Sequence, residues 1–542
     1  MSHRKEKNKK KQPHSSKPSL TVIPSREGSS ASANPHPPVS SKRKNATAHA
    51  GVARTGLQAT VNTAPITEVV DQPEPMGFPK LIQALELFRD QQNQPCVVLK
   101  DDPNRDVFYI GTKPFKQLLE GLFYDEYGKI PSKATLADGI RLSELLSSRE
   151  KIKHTVWQRF AHVNGTIYID MCDNNGSVIV VTEDGYSIKK SMETDIYFHR
   201  NPISDSLPIP IPGGDYMSMF NNMNIKHRHD LCLVATWPIV AAIHGIPRPP
   251  LVIYGLQGSA KSTAAMMLKN LIAPDVDGIV KIKSNEAEMA QIIHNHAIPS
   301  FDNVNIVSQN IADLLCMTVT GGNYTKRKLY TDNGSVIFDL QKPIITSSIN
   351  IWTNAPDLLD RCLFVELEQI KIPDEGYSTS VVDSYNENRG RFLDGYLHAL
   401  SKTLKLHKDI QVDNLPRMAH YYKWAYAASL ALGFEKNEFI EAYRQSRLKG
   451  QLHSLDQDGF GRIFVKFLDF IGPQEMSSSL FHTKFLEFAK KLNISMNNLP
   501  KAANALSKKI HHMSFALQPF GWSVTLKKAR DANMVCIKRN DT

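Results

Sequence analysis

The spacing of apolar residues changes several times along the chain, and each change marks a different kind of segment. Before about residue 75 apolar residues are isolated and without period. Such a stretch cannot bury enough surface to offset its ordering entropy, so we predict a disordered tail over residues 1–75.

Residues 76–205 contain short runs of apolar residues. FPKLIQALELFRD has apolar residues at helical spacing, whereas PCVVLK, DVFYIGT, NGTIYIDMCD and SVIVVTEDGYSIKK are typical of strands, the last two around Asn-Gly and Asp-Gly turns. We predict a small α+β accessory domain there.

From residue 206 to residue 375 predicted helices and strands alternate, which is typical of an α/β domain with a parallel sheet. The most apolar segment, LCLVATWPIVAAIHGI, is shorter than the ~20 residues of a membrane span and contains Pro238. We therefore expect it to be a buried helix. Residues 376–452 predict a helical region, with helices over 418–432 and 436–447. Residues 453–542 predict further helices and a terminal β-hairpin, which form one more domain.

Charge is concentrated at the start of the sequence. The 542 residues carry a formal charge of +11, but residues 1–50 alone contain eleven Lys and Arg against Glu6 and Glu27. This basic segment is either an arm for nucleic-acid binding or nuclear import, or a solubilising tail.

The six cysteines form no Cys-x-x-Cys pair, which argues against disulfides and structural zinc. With no signal peptide visible, we expect a soluble, cytoplasmic protein.

The segment LVIYGLQGSAKST, residues 251–263, carries the clearest chemistry. LVIY is apolar like a buried parallel strand, the glycines allow a tight loop, and AAMMLKNLI continues as a helix. In this setting backbone N–H groups cradle the phosphates of ATP, Lys261 reaches the β and γ phosphates, and Ser262 binds Mg²⁺. Ala260 replaces the second glycine of the G-x-x-x-x-G-K-[ST] pattern, and we expect its φ to be negative because of its methyl group. The predicted nucleotide-binding residues are Gly255, Gln257, Gly258, Ser259, Ala260, Lys261, Ser262 and Thr263.

A phosphate loop also needs a carboxylate for its metal ion, normally at the end of a neighbouring strand. Asp302 in HAIPSFDNVN is the candidate, and the alternative is a turn residue. Asn303 stands where many such ATPases place a glutamate base, so either another residue positions the attacking water or hydrolysis is slow. PIITSSIN predicts a core strand with a polar end, where Ser347 or Asn350 could sense the γ-phosphate or hold that water.

Two further segments suggest contacts beyond the nucleotide. KRKLYTD and SVIFDLQ flank Asn333-Gly334, which predicts a hairpin with a tight turn, and Lys326, Arg327 and Lys328 crowd its first strand. The hairpin either grips a phosphodiester backbone in a central channel or is a solvated edge strand whose lysines prevent aggregation. Arg361 in APDLLDRCLFVEL either completes the site of a neighbouring subunit or forms an ion pair with Asp357 or Asp360.

Taken together, these segments resemble the superfamily 3 helicase-type AAA+ ATPases, in the primase-helicase branch of phages, plasmids and poxviruses. The correspondence covers about residues 251–367 and runs in order through GLQGSAKST, FDN, TGGNYTKRKLYTD, PIITSSIN and LLDR. A closer similarity, over most of residues 160–450, is to uncharacterised bacterial mobile-element ATPases, whose GSAKST loop also carries alanine. In that group Ala260 and Asn303 are normal rather than signs of a dead site.

The resemblance implies a ring, expected to be a hexamer, with ATP at subunit interfaces and a DNA strand, expected to be single, in the channel. Residue by residue it carries over Lys261, Ser262 and Asp302 to the ATP and Mg²⁺ site, Arg327 and Lys328 to the channel hairpin, and Arg361 to the inter-subunit arginine. The family's sensor asparagine falls nearest to Ser347, so the alternative of Ser347 or Asn350 stays open.

The end of the chain has a supporting pattern. SLFHTKFLEFAKKL and LPKAANALSKKIHHMSFAL predict two amphipathic helices, and WSVTLKKA and ANMVCIKR predict a hairpin across Arg530-Asp531. This is a winged-helix order, similar to domains appended to such ATPases. The domain either contacts DNA phosphates or packs with a solvated basic face. The candidate DNA contacts are Lys501, Lys508, Lys509, His511 and His512.

The sequence therefore predicts a P-loop AAA+ ATPase that uses ATP and Mg²⁺, assembles into a ring and acts as a DNA helicase or translocase in replication of a mobile element or phage. One alternative is a nucleotide-gated assembly or defence ATPase without unwinding. Another is a DNA-binding protein with a weak ATP site. No membrane partner is expected.

Overall fold

Residues 77–205 form two antiparallel sheets with helices packed beside them. The computed structural model describes residues 77–327, 335–370, 377–412, 415–456, 460–496, 499–514, 517, 520–528 and 533–539. The first elements are α1 (Phe78–Ile82), β1 (Leu85–Arg89), β2 (Pro95–Leu99), β3 (Phe108–Tyr109), α2 (Lys113–Tyr127), α3 (Lys133–Arg149), β4 (Val156–Trp157), β5 (Phe160–Val163), β6 (Thr166–Asp170), β7 (Ser177–Thr182), β8 (Gly185–Lys190) and β9 (Tyr197–Phe198). The sheets have the orders β1-β2-β3 and β5-β6-β7-β8, and β4 pairs with β9 in parallel.

The helix predicted for FPKLIQALELFRD is wrong in its second half. The helix ends at Ile82, and residues 85–89 form strand β1, which pairs antiparallel with β2 from Leu85 opposite Leu99 to Arg89 opposite Pro95. Leu85 and Phe88 are both buried, and their spacing fits a buried helix face as well as a strand that is buried on both sides. Pairing with β2 decides in favour of the strand. The predicted Asn-Gly turn is confirmed, because Asn164 and Gly165 both have positive φ between β5 and β6.

The central part of the chain is built on a four-stranded parallel sheet. Its elements are a 3₁₀ helix (Met217–Asn222), α4 (Arg228–Ala241), β10 (Leu251–Tyr254), α5 (Lys261–Ile272), α6 (Glu286–Asn295), β11 (Ser300–Phe301), α7 (Gln309–Thr320), β12 (Asn323–Arg327), β13 (Ser335–Asp339), β14 (Ile345–Ser348), α8 (Pro356–Leu359) and β15 (Leu363–Glu366). The sheet order is β11-β14-β10-β15, with every pair parallel. Because parallel strands end at the same edge, the residues that follow β10, β11 and β14 lie close together.

The two faces of this sheet are buried against different helices. Leu251, Ile253 and Ile345 belong to a core shared with α4, α5 and later helices. Val252 and Phe301 belong to a second core shared with α6, α7 and α8. Both faces of the strands are therefore apolar, which explains why LVIY reads as a continuous apolar run.

The basic hairpin is present, but its register differs from the prediction. Strands β12 and β13 pair antiparallel with Arg327 opposite Ser335, whereas a two-residue turn at Asn333-Gly334 requires Asp332 opposite Ser335. Asn333-Gly334 itself lies outside the described residues. The register is set at the base of the hairpin. There the Tyr324 and Phe338 rings stack at 6.4 Å, and the Asp339 N–H donates to His294 Nδ1 at 3.2 Å.

The last part of the chain is helical and ends in a small three-stranded sheet. Its elements are α9 (Tyr377–His407), α10 (Ala419–Ala431), α11 (Lys436–Asp456), α12 (Phe460–Ile471), β16 (Gln474–Ser477), α13 (Ser478–Lys491), α14 (Ala503–Met513), β17 (Trp522–Lys528) and β18 (Asn533–Arg539). The sheet order is β16-β18-β17, and its core contains five packed phenylalanines of α12 and α13. The two helices and the hairpin predicted here are present, while Arg530-Asp531 lies outside the described residues.

Contacts join the first two parts of the chain closely. Arg159 is 2% exposed and donates to the carbonyl oxygens of Asp170, Asp205 and Pro274. Residues 74–542 accordingly form one compact unit by their contacts. Within the described residues, none of the helices combines the length and apolarity that a membrane crossing requires.

Candidate functional site

The loop over residues 255–260 connects β10 to α5 at the carboxyl edge of the parallel sheet. Gly255 has φ +155°, and a Cβ at this position would lie 2.3 Å from the Leu367 carbonyl oxygen, so a side chain cannot fit. Gly258 has φ +79°, and its carbonyl accepts a hydrogen bond of 3.1 Å from the Ile370 N–H. The strand, tight loop and helix predicted for this segment are therefore present, and residues 367–370 support the loop from the side.

The expectation of a negative φ at Ala260 is wrong. Its φ is +55° and its ψ is +30°, in the left-handed region, immediately before the first residue of α5. A methyl group in this region costs about 1–2 kcal/mol. Local hydrogen bonds hold the conformation, because the Ala260 carbonyl accepts from the Ala264 N–H at 2.9 Å and buried Ser259 donates to the Leu256 carbonyl at 2.8 Å. Strain of this kind persists where the surrounding structure imposes it, and it is common at ligand-binding sites.

Lys261 curls back over the loop. Its Nζ donates to the Leu256 carbonyl at 2.8 Å and to Ser259 Oγ at 3.2 Å. Burial lowers the pKa of Lys261, and the nearby carboxylate of Asp302 acts in the opposite direction. The ammonium group is thus directed toward the interior of the loop, with oxygen partners that a phosphate could replace. Of the other predicted loop residues, Gln257 and Gly258 are exposed and Thr263 is half-buried.

Ser262 and Asp302 are in direct contact. The Ser262 hydroxyl donates to Asp302 Oδ1 at 2.7 Å, and Ser347 donates to the same oxygen. Asp302 follows β11, which is separated from β10 by β14, so the sheet order brings Asp302 and Ser347 to the loop. The Asp302 N–H is also fixed, by a 3.0 Å bond to the Val280 carbonyl. Asp302 is therefore bonded to two hydroxyl groups and is not an isolated turn residue, while metal binding by Asp302 and Ser262 stays a prediction.

The remaining candidates at this edge are placed differently. Asn303 is exposed with φ +51°, and its N–H donates to Ser347 Oγ at 3.3 Å. Ser347 is 1% exposed and contacts both Asp302 and Asn303, so the structure places it within the site. Asn350 is exposed two residues beyond the end of β14. Of the two sensor candidates, only Ser347 is bonded to Asp302 among the described contacts.

Arg361 lies at the opposite edge of the sheet, just before β15. Its guanidinium pairs with Asp357 at 2.9 Å and donates to the Cys316 carbonyl at 3.2 Å, and its side chain is 12% exposed. This is the predicted ion-pair alternative, although the pair is more enclosed than a surface pair. Burial alone would raise the pKa of Asp357, but the guanidinium groups of Arg417 and Arg361 bring it below its usual value.

Sequence reasoning missed two further arginines at this place. Arg417 contacts Asp357 at 2.8 Å and Asp360 at 3.3 Å, and Arg447 contacts Asp360 as well. Arg417 is 49% exposed, so it is the more accessible cation of the cluster. Arg417 lies in the turn before α10 and Arg447 lies on α11, far along the chain, and no fixed spacing connects them to Asp357 or Asp360.

A carboxylate beside the loop was also missed. Glu366 ends β15 in register with Tyr254, accepts from Lys226 at 2.7 Å and accepts from the Tyr254 hydroxyl at 3.3 Å. The sequence does contain this signal, because Glu366 is an acidic residue at the end of a predicted strand. Glu366 is paired with Lys226, so it supports residues 367–370 and is not a free carboxylate.

The predicted nucleic-acid contacts are only partly within the described structure. Lys326 and Arg327 lie on β12, with their side chains outside the description, and Lys328 lies outside the described residues. In the last domain Lys501, Lys508 and His511 are exposed, whereas Lys509 lies 4.4 Å over the Phe460 ring. The His512 side chain is outside the description. The packing of Lys509 removes it from the set of freely projecting lysines.

Comparison with known proteins gives one family match. Residues 216–447 match the family model described as actinomycete integrative conjugative element replication protein. No curated protein matches the sequence. Among solved structures, the A form apo structure of the NrS-1 C-terminal region has a TM-score of 0.39 and 12% identity, covering 85% of this chain and 98% of that chain. Another apo structure of the same region has a TM-score of 0.39 and 12% identity, covering 87% and 100%. The family match spans the 255–260 loop, Asp302 and the arginine cluster, so this part of the chain is similar to replication proteins of conjugative elements.

Proposed function

We propose that this chain is a P-loop ATPase of the AAA+ class that acts on DNA in the replication of a mobile element. The observation that carries the proposal is the 2.7 Å contact between Ser262 Oγ, at the start of α5, and Asp302 Oδ1, beyond β11. A loop hydroxyl and a strand-end carboxylate meet in this way where a nucleotide-bound Mg²⁺ is held. The family match to a replication protein supports the DNA context.

The residues present fit a magnesium ion. Mg²⁺ prefers oxygen ligands and is usually held by one or two protein groups together with phosphates and water. Ser262 and Asp302 supply a hydroxyl and a carboxylate oxygen, and no lysine or arginine contacts Asp302 among the described residues. A bound Mg²⁺ would neutralise charge on the β and γ phosphates.

The chain's own groups account for binding and orientation of the phosphates. The loop and the first N–H groups of α5 offer backbone donors at the positive end of a twelve-residue helix. Lys261 can exchange its carbonyl partner for a phosphate oxygen with a small movement of a flexible side chain. Ser347 fixes the orientation of Asp302 and anchors the Asn303 backbone. We assign the positioning of the attacking water to this Ser347–Asn303 pair, since no glutamate follows Asp302.

The arginine cluster supports a multi-subunit site. Arg361 and Arg417 lie at the amino edge of the sheet, whereas Lys261 and Asp302 lie at the carboxyl edge. A four-residue strand spans roughly 10 Å, so these arginines lie near the edge of the sheet opposite to the phosphate loop of their own chain. In this proposal an arginine that assists hydrolysis comes from a neighbouring copy, which is the arrangement of a ring. We propose such a ring, with six copies expected from the resemblance.

Two basic regions support DNA as the partner. Strand β12 carries Lys326 and Arg327 on a hairpin between the Asp302 segment and β14. The order α12, β16, α13, α14, β17, β18 is that of a winged-helix domain, and Lys508 is exposed on α14. We propose that the hairpin contacts single-stranded DNA and that the last domain provides a further contact.

Nucleotide turnover tests the proposed function. The purified chain should hydrolyse ATP in the presence of Mg²⁺, single-stranded DNA should raise the rate, and Lys261→Ala should abolish it. Charge reversal at Lys326 and Arg327 should remove the stimulation by DNA while ATP binding persists. Turnover that depends on Lys261 but is indifferent to DNA would indicate a nucleotide-gated assembly protein instead. DNA binding without any turnover would indicate a DNA-binding protein with a weak ATP site.

A further inference from the structure

Basic side chains from two helices meet on one surface away from the nucleotide site. The last two turns of α9 present Lys402 and Lys405, and Lys408 follows directly after the helix at the same three-residue spacing; all three are exposed. Residues three apart on a helix are neighbours. The first two turns of α10 add exposed His420 and half-buried Lys423. We call these five residues the α9–α10 patch.

Aromatic packing holds the two helices together at this point. The His407 ring of α9 stacks on Trp424 of α10 with ring centroids 3.5 Å apart and an interplanar angle of 3°. His162 of β5 lies edge-on to Trp424 at 5.9 Å. Burial, followed by the positive charges of Lys423, His162 and His420, lowers the pKa of His407 to about 4. The imidazole of His407 is therefore neutral at pH 7, and the lysines supply the charge of the surface.

Acidic residues balance these lysines only in part. Lys408 is paired with Glu183 of the β7–β8 turn, and Lys408 and Lys405 together lower the pKa of Glu183. Asp184 follows Glu183 in the same turn, and Asp409 follows Lys408. Among the described residues, four lysines thus stand near three acidic residues, and of these lysines only Lys408 forms a salt bridge.

Helix dipoles explain only half of the arrangement. Lys405 and Lys408 lie at the carboxyl end of α9, where positive charge is favourable. Lys423 is the fifth residue of α10 and lies beyond the first turn, where the effect of the helix dipole has fallen off. The helix dipoles therefore account for Lys405 and Lys408 but give no reason for Lys423 to lie beside them.

The extent of the patch indicates which anion. Lys402 and Lys405 lie on neighbouring turns of α9, and Lys423 lies on a second helix, so the positive groups are spread over more than one turn and more than one helix. A polyanion with repeated phosphates can contact all of these groups, whereas a single small ion can contact only one or two of them.

We propose that the α9–α10 patch binds the sugar–phosphate backbone of DNA. The inference rests on the proposed DNA-dependent function. The contacts are to phosphate and carry no base recognition, because the exposed groups are lysines on a convex helical surface and Trp424 is only 9% exposed. Binding at the patch should therefore be independent of sequence and strongly dependent on salt.

The test compares charge reversals in the full-length chain without nucleotide. Lys405→Glu with Lys423→Glu is the principal variant, and Lys402→Glu with Lys405→Glu is a second variant confined to exposed positions. Lys116→Glu with Lys133→Glu, on exposed positions of α2 and α3, is the matched control. Affinity for a 20-nucleotide oligomer is measured by fluorescence anisotropy at several NaCl concentrations. We expect a loss of about tenfold or more and a salt slope reduced by roughly 0.7 for each lost single-strand phosphate contact, with the control unchanged.

Several outcomes would overturn the inference. It is wrong if both patch variants keep the wild-type salt slope, or if the control loses affinity equally. It is also wrong if the variants lose binding to phosphatidylserine vesicles but not to DNA. Thermal unfolding and magnesium ATP binding of each variant serve as a folding check, since the patch is remote from the 255–260 loop. Failure of the proposed ATPase is seen separately, as absent ATP binding by the wild-type chain.

Discussion

The Ser262 hydroxyl donates a 2.7 Å hydrogen bond to Asp302 although 40 residues separate them in sequence. Ser347 donates to the same carboxylate oxygen, so Oδ1 of Asp302 accepts two hydroxyl protons at once. Among the described residues, no hydrogen bond reaches the other carboxylate oxygen of Asp302. Helix α5 and strands β10, β11 and β14 must be in place for this contact to form, which makes it a sensitive indicator of the assembled site.

Replacing Asp302 should separate metal dependence from nucleotide binding. Asp302→Asn keeps the size of the side chain and removes the charge that attracts Mg²⁺. We expect the Mg²⁺-dependent part of ATP affinity to fall at least about tenfold, by analogy with losses seen when metal-site partners are removed, while metal-free ATP binding is retained. Isothermal titration with and without Mg²⁺ measures both quantities. Equal Mg²⁺ dependence in the variant and the wild type would contradict the assignment.

Ala260 should tolerate glycine but not a β-branched residue. Glycine removes the strain at φ +55°, and this gain of about 1 kcal/mol is partly offset by greater freedom in the unfolded chain. Ala260→Gly should therefore unfold at the same or a slightly higher temperature and keep ATP binding. Ala260→Val is expected to lose ATP binding, because valine is a true outlier in the left-handed region. Normal ATP binding by the valine variant would show that the loop conformation is not required.

The two arginines beside Asp357 should differ in their effect on stability. Arg361→Ala removes a guanidinium that is only 12% exposed, together with its bond to the Cys316 carbonyl and its ion pair with Asp357, which should cost about 1–2 kcal/mol. Arg417→Ala removes a 49% exposed ion pair and should cost less than about 1 kcal/mol. Urea unfolding measures both free energies, with Arg444→Ala as a control for an exposed pair with Glu441. An equal cost for all three would mean that Arg361 is not the structural member of the cluster.

Acid should destabilise the base of the hairpin. Burial, with Lys342 adding to it, lowers the pKa of His294 to about 4, against about 6.5 in an unfolded chain. Between these values the unfolded chain binds a proton that the folded chain does not. The stability contribution is therefore fully present above pH 6.5 and is lost as the pH falls toward 4, at a limiting slope of about 1.4 kcal/mol per pH unit.

A variant at His294 measures this contribution. His294→Gln keeps an acceptor for the Asp339 N–H and removes the titrating group. Between pH 7 and pH 5, the urea concentration at the unfolding midpoint should decrease less in the variant than in the wild type. His244 and His407, whose pKa values are lowered to about 3 and about 4, remain in both proteins and give a shared background. The same decrease in both proteins would exclude His294 as a source of acid sensitivity.

Local patterns predicted the phosphate-binding loop well. The apolar run before Gly255 and the helix after Ala260 are determined by neighbours in sequence, so the strand Leu251–Tyr254 and the helix Lys261–Ile272 could be read from the chain. The conformation of Ala260 could not be predicted in this way. The sign of its φ depends on the hydrogen bond from Ser259 to the Leu256 carbonyl and on the bond from Ile370 to the Gly258 carbonyl.

Features that depend on distant pairing were harder to predict. Residues 85–89 have a spacing that fits a helix, and only their pairing with β2 makes them a strand. The hairpin register, with Arg327 opposite Ser335, goes with the packing of Phe338 and His294 at the base and differs from the register that Asn333-Gly334 predicts. The enclosure of Arg361 by Cys316 and Asp357 likewise requires three elements to meet. In each of these examples tertiary packing overrides a local preference.

Calorimetric titration of the full-length chain with magnesium ATP tests the central claim most directly. The account predicts saturable heat at one site per chain, lost when Lys261 is replaced by alanine and unchanged when exposed Lys116 is replaced instead. Absence of heat in the wild-type chain, as a monomer or as an assembly, or equal heat in the Lys261→Ala variant, would contradict the claim that the 255–260 loop holds a triphosphate.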